Sequence, residues 1–269
     1  MNRVKFLITV FSLIVCALPV LGHDTWLIPG RFSIPVGATI QLDLTSGMAF
    51  PALDTAIKPE RIDRAKFRLA DQTLDISKIS PAAHSLRFQT ELAQVGIATL
   101  WVELKPKALT LTPAKVEEYL KEIDAPESVR NRWKTSASPK QWRESYVKHA
   151  KTFLKVGNPT SDRSWAEPVG MVLEIVPERD PTALHSGDEF PVRVLKNGAP
   201  LPDFPLGLVR AGQKHGIIQK TDAEGRIVFH LKSGGKWLIR GTELRPSTQP
   251  DLDWESDFTT LTFEVARKP

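Results

Sequence analysis

The residues of this chain best suited to chemistry are its imidazoles. There are six, His23, His84, His149, His185, His215 and His230, and His23 stands apart because it follows an apolar stretch ending in small residues, in VLGHDTWLIPG. A cut between Gly22 and His23 would place an α-amine and the ring Nδ1 on one residue, able to close a chelate around a single ion. The α-amine (reference pKa near 8) and a neutral ring are both attainable near pH 7. Nitrogen-rich sites suit copper, nickel, cobalt or zinc, with copper first in affinity order unless geometry or supply overrides it. The copper and nickel motif with histidine at the third mature position is absent, because that position is Thr25.

The first residues predict the cut. MNRVK, the apolar run 6–17 and the segment LPVLG have the three-part layout of a secretory signal peptide. The run is shorter than the roughly 20 residues that span hydrocarbon, and Val20 and Gly22 suit the positions a signal peptidase inspects. A lipid anchor on Cys16 is disfavoured, since Leu13-Ile14-Val15 lacks the small residue wanted before it. The expected mature protein therefore starts at His23 in the periplasm or an equivalent extracytoplasmic space. Losing Arg3 and Lys5 lowers the formal charge of +5 by two, to +3, and losing Cys16 removes the single cysteine. Without disulfides, hydrophobic cores alone must hold the mature domains together. Basic residues are scattered among acids, as in KPERIDRAKFR, so nucleic acid is not an expected partner.

The other histidines have ordinary settings. In RIVFHLK, Ile227, Phe229 and Leu231 take one face, which leaves His230 on the other, toward solvent or a neighbouring domain. His215 in AGQKHG falls near a hairpin loop, where ligands and solvated residues are both common. His149 reads as a packed, hydrogen-bonded residue, and His84 and His185 fall in turn-rich PAAHS and ALHSG. Among the seven tryptophans, Trp101, Trp142 and Trp237 read as core, while Trp133, Trp165 and Trp254 have polar neighbours that allow exposure. No nucleophile elbow, phosphate-binding glycine loop, H-E-x-x-H, cysteine pair or dinucleotide fingerprint occurs, which favours a binding protein over an enzyme.

The elements that must position these residues are mostly strands. From Thr25 to Leu104, runs such as TWLI, ATIQLDL, SLRFQTEL and IATLWVEL alternate with turn residues. In the last of these, Ile97, Thr99, Trp101 and Glu103 share one face, and Ala98, Leu100, Val102 and Leu104 the other. Two helices are expected between the β regions. One, near 113–123, opens with Thr112-Pro113, and one, near 139–153, carries Trp142, Tyr146, Ala150 and Phe153 as a stripe. From Gly170 the period returns to two, with seven strand candidates and turns at Asn197-Gly198 and Ser233-Gly-Gly235. The expected fold is mainly β. It has two antiparallel β-sandwich units, residues 23–168 with the helical insertion at about 113–153 and residues 169–269, the latter immunoglobulin-like or transthyretin-like.

Several stretches, in order, resemble one family: HDTWLIP, SYVKHAKTFLKVG, PVGMVLEIVPERDP, SGDEFPVRVLKNGAPLP, TDAEGRIVFHLKSGGKWLI and DWESDFTTLTFEV. This is the domain-of-unknown-function 4198 family of exported bacterial proteins, some of which are described as periplasmic components of nickel or cobalt uptake systems. The resemblance implies a two-part β protein that binds transition-metal ions beside an inner-membrane importer. His23 and Asp24 match its pattern. Where the family often carries a histidine after the G-x-W-L-I strand, this chain reads Arg240-Gly241-Thr242-Glu243, and the Glu243 carboxylate is a harder ligand than imidazole.

The leading expectation is thus a non-enzymatic exported protein that binds nickel, cobalt or copper, with His23, Asp24, His215, His230 and Glu243 as the candidate ligands. A metal-free interaction module that docks a membrane partner is the alternative. An oxidative copper enzyme, which would need a second histidine on the same ion, ranks third.

Overall fold

Apolar residues at every second position, broken by frequent turns, can bury their faces only in stacked sheets. The computed structural model describes residues 23–136, 141–213 and 216–268 and is mainly β, in three sheets. The expected signal segment and His215 lie outside the described residues. No helix among those described is long and apolar enough to cross a membrane.

A ten-stranded sheet forms the middle of the molecule. Its path runs Ile217–Lys220, Pro205–Arg210, Gly235–Pro246, Trp254–Val265, Trp142–Val156, Gly96–Leu104, Ile62–Leu69 and Gln72–Asp75. A five-stranded sheet, in which Ala38–Gly47 lies between Asp24–Pro29 and Leu86–Leu92, covers one face of it. A four-stranded sheet built on Glu189–Lys196 covers the other.

The strand Gly96–Leu104 shows why both covers are needed, for all nine of its residues are buried. Ala98, Leu100 and Val102 join Leu27, Leu42 and Phe88 in one core, while Ile97 joins Leu173, Phe190 and Phe263 in the other. The two sandwich units expected from the sequence therefore share a sheet, and Trp142–Val156 runs parallel to Trp254–Val265 at the join.

The helix Pro113–Glu122 forms where Thr112-Pro113 predicts it, and the Lys115 and Val116 amides donate to the Thr112 carbonyl. The helix expected near 139–153 is a correction. Trp142–Val156 is a strand, and the second helix is Glu127–Lys134. Trp142, Tyr146 and Ala150 are four apart, a spacing that repeats on one helix face but also, being even, on one strand face. Trp133, Trp165 and Trp254, whose neighbours suggested exposure, are likewise buried. Trp254 stacks on Trp142 with centroids 4.8 Å apart, and Trp133 meets Trp142 edge-on at 5.6 Å. The two helices close over this cluster.

Beneath them Glu144 is fully buried and accepts from Tyr119 Oη (3.0 Å), Trp142 Nε1 (2.7 Å) and Ser256 Oγ. Burial raises its carboxyl above the ordinary value, with the three donors opposing. Tyr119→Phe removes one donor and little volume. Its expected cost is about 1.5–3 kcal/mol, the range for a hydrogen bond to a charged group, measured as a lowered urea midpoint.

Candidate functional site

The start of the first strand is held from several sides. Asp24–Pro29 pairs antiparallel with Ala38–Gly47, setting Asp24 opposite Gly47. Thr260 and Thr262 hydroxyls donate to the Thr25 and Leu27 carbonyls, both at 2.6 Å, so the strand is tied to the central sheet across the layer gap. Lys148 Nζ donates to the His23 carbonyl at 2.5 Å. His23 is therefore a positioned residue at the head of a strand.

Its ring is held below the usual histidine range, first by burial and then by the Lys148 charge, while Asp54 and Asp24 pull the other way. A ring so placed is neutral at pH 7, the state a metal ligand requires. Asp54 approaches because Gly47 lacks a side chain. A Cβ there would lie 3.0 Å from the Asp54 Cβ and 3.2 Å from its Oδ2. His84 Nδ1 lies 3.0 Å from the Asp54 carbonyl and braces the same turn.

Of the five residues singled out from the sequence, the four that are described, His23, Asp24, His230 and Glu243, do not converge. Asp24 is next to His23 but is ion-paired with Arg240. Burial raises the Asp24 carboxyl against the pull of Arg240, while burial would lower the guanidinium but Asp24 raises it. Glu243 lies on the same strand as Arg240 but on its opposite face, bound to Lys196 at 3.0 Å and Arg245 at 2.5 Å. His230 is exposed at the end of Arg226–His230 in the four-stranded sheet, with Nδ1 3.5 Å from Glu189. That sheet covers the face of the central sheet away from His23. Among the described residues, no three His, Cys, Asp or Glu side chains gather where they could hold a metal ion.

A cavity of about 510 Å³ opens beside His23, lined among others by Ile57, Lys58, Glu60, Arg61, Leu104, Lys107, Tyr146 and Lys148. This is within the size range of small-molecule sites. The crevice beside Asp24 and Arg240, at about 40 Å³, has room only for water. Burial brings the Lys148 ammonium down to about 8, Arg61 and Lys107 add to the fall, and Asp24 and Glu122 oppose it. The sequence offered no cue to these cations. Lys58 and Arg61 belong to a run that reads as mixed surface charge, and Lys107 and Lys148 are brought in by strands far along the chain.

A family model described as Domain of unknown function (DUF4198) matches residues 20–242. A comparison with curated proteins found no match. Among solved structures, the D0-D1 domain of Intimin is similar at 12% identity over 91% of this chain and 99% of that one, with a TM-score of 0.24. Escherichia coli alpha-2-macroglobulin activated by porcine elastase is similar at 13% identity over 91% of this chain and 20% of that one, with a TM-score of 0.25. Superpositions this loose carry no argument about fold or activity.

Proposed function

The chain belongs to the DUF4198 family, and we propose that it is an exported, non-enzymatic protein that binds a divalent transition metal at its mature N-terminus. One observation carries the reading: His23 is anchored at the head of a strand with its ring lowered toward the neutral form, beside the Asp54 carboxylate, which has no ion-pair partner among the described residues. The His23 amine and Nδ1 would supply two nitrogens, and Asp54 is the carboxylate best placed to add an oxygen. Nickel, cobalt and copper suit such a set. Asp24 and Glu243 are already neutralised by arginine or lysine, so they serve as supports for the fold in this reading. Localisation in the periplasm and service to an inner-membrane importer are part of the proposal, supported by the signal-like N-terminus and by the resemblance.

The test uses the secreted protein, with intact mass confirming His23 as its first residue. It is expected to bind about one Ni(II), Co(II) or Cu(II) by calorimetry, whereas a form with one extra residue before His23 loses at least about tenfold in affinity. Equal affinity in the two forms would overturn the chelate.

A further inference from the structure

We propose that the cavity beside His23 binds a small organic polycarboxylate. Lys58, Arg61, Lys107 and Lys148 line it against one acid, Glu60. None of the four cations has an ion-pair partner among the described residues. Lys58 and Lys107 are exposed and Arg61 and Lys148 half-buried, whereas the buried Lys151 is held by Glu174 and the half-buried Arg240 by Asp24. Like charges gathered at a partly enclosed, low-dielectric wall repel one another and raise the local concentration of anions.

Tyr146 holds two of these charges in place. Arg61 lies 5.5 Å from its ring centroid and Lys148 5.6 Å, and Lys148 is also 5.3 Å from the centroid of Phe258. Cation–π contacts stabilise the ammonium and guanidinium while leaving them free to meet an oxyanion. The guanidinium can take a carboxylate in two parallel hydrogen bonds, and the lysines act as point charges around it.

The ligand class follows from how the charge is spread. The four cations come from the 58–61 segment, from Lys107–Leu111 and from Trp142–Val156, around a space of about 510 Å³. A compact ion such as phosphate touches few of them at once. A branched molecule with two or three carboxylates reaches several, and Ile57 and Leu104 in the wall accommodate its methylene carbons. His23 itself lines the cavity, so the two sites adjoin, but the polycarboxylate would be held by the four cations and does not depend on the chelate.

Calorimetric titration of the metal-free mature protein with citrate tests the assignment at low ionic strength, with phosphate, sulfate and acetate as comparison arms. Saturable binding of one citrate is expected, weakening as salt is added. The other anions should bind at least about tenfold less tightly, as should citrate to an Arg61→Gln/Lys107→Gln variant whose circular dichroism and urea midpoint match the parent. Absence of citrate binding would overturn the site. Equal binding of citrate and phosphate would reduce it to general counterion attraction, and an unaffected variant would place the anion elsewhere. Metal titration of the extended form reads the chelate separately, so one idea can fail without the other.

Discussion

Glu174→Ala is expected to destabilise the protein by about 3–5 kcal/mol, the usual cost of leaving one member of a buried ion pair without its partner. Lys151 and Glu174 are both 1% exposed, and Lys151 Nζ lies 2.6 Å from Glu174 Oε1. Burial lowers the Lys151 ammonium, with Glu174 opposing. Burial would raise the Glu174 carboxyl, but Lys151 and the loop amides carry it below its ordinary value. Those amides matter to the asymmetry of the pair. Val169, Gly170 and Met171 donate to Glu174 at 2.8, 2.9 and 3.2 Å.

Lys151→Met should cost less, because Glu174 keeps its three amide donors and the methionine packs where the lysine stem lay. Removing Glu174 strands the ammonium and frees the amides of the turn together. Urea unfolding of both variants checks the order. Equal losses, or a Glu174→Ala loss below about 1 kcal/mol, would show that the pair contributes little.

His149→Phe is expected to cost a similar 3–5 kcal/mol at pH 6, and distinctly less at pH 9. The ring, 1% exposed, lies between two buried carboxylates. Nε2 is 3.1 Å from Asp257 Oδ1, and Nδ1 is 3.3 Å from Glu103 Oε2, an ion-pair contact that lacks good hydrogen-bond alignment. Only the imidazolium can face both, since a neutral ring has one donor. Burial works against that charge, but Asp257 and Glu103 together raise the ring above the ordinary value of 6.5.

The sign follows from linkage. A raised folded value makes the contribution complete below about 6.5 and lost as pH climbs through the folded value. Asp257 behaves oppositely. Burial would raise it, but His149, Lys196 and Arg245 hold it far below the usual carboxylate range. Its contribution is therefore present above about 3.9, the unfolded value, and lost as pH falls through the folded one. Both are intact together only in mildly acidic solution. Unfolding midpoints of parent and variant at pH 6 and pH 9 decide the matter, and a difference that does not change with pH would mean a ring neutral in the fold.

Local pattern determined much of this protein. Two-residue alternation marked Gly96–Leu104 and assigned its two faces correctly, because side chains of a strand point alternately whatever lies beyond it. Thr112-Pro113 marked the first helix, because a proline at the first helical turn loses no hydrogen bond. The family was legible too, in ordered motifs of which five lie within the matched residues 20–242, and His23 stood out because the expected processing boundary is a linear signal.

Tertiary structure decided the rest. Trp142–Val156 is buried on both faces from His149 to Leu154, where the polar His149 and Lys151 lie inside, and its apolar residues four apart fit helix and strand alike. Its charged residues gave no hint of burial, since their partners are remote: Glu144 meets Ser256, 112 residues on, and His149 meets Asp257, 108 residues on. Glu243 looked available as a ligand because nothing near it in the chain reveals Lys196 across the sandwich. The cavity cations escaped notice for the same reason. A charge run is mixed or unpaired only in space, and long-range sheet pairing brought Lys58, Arg61, Lys107 and Lys148 around one cavity with Glu60 as the one acid in its wall.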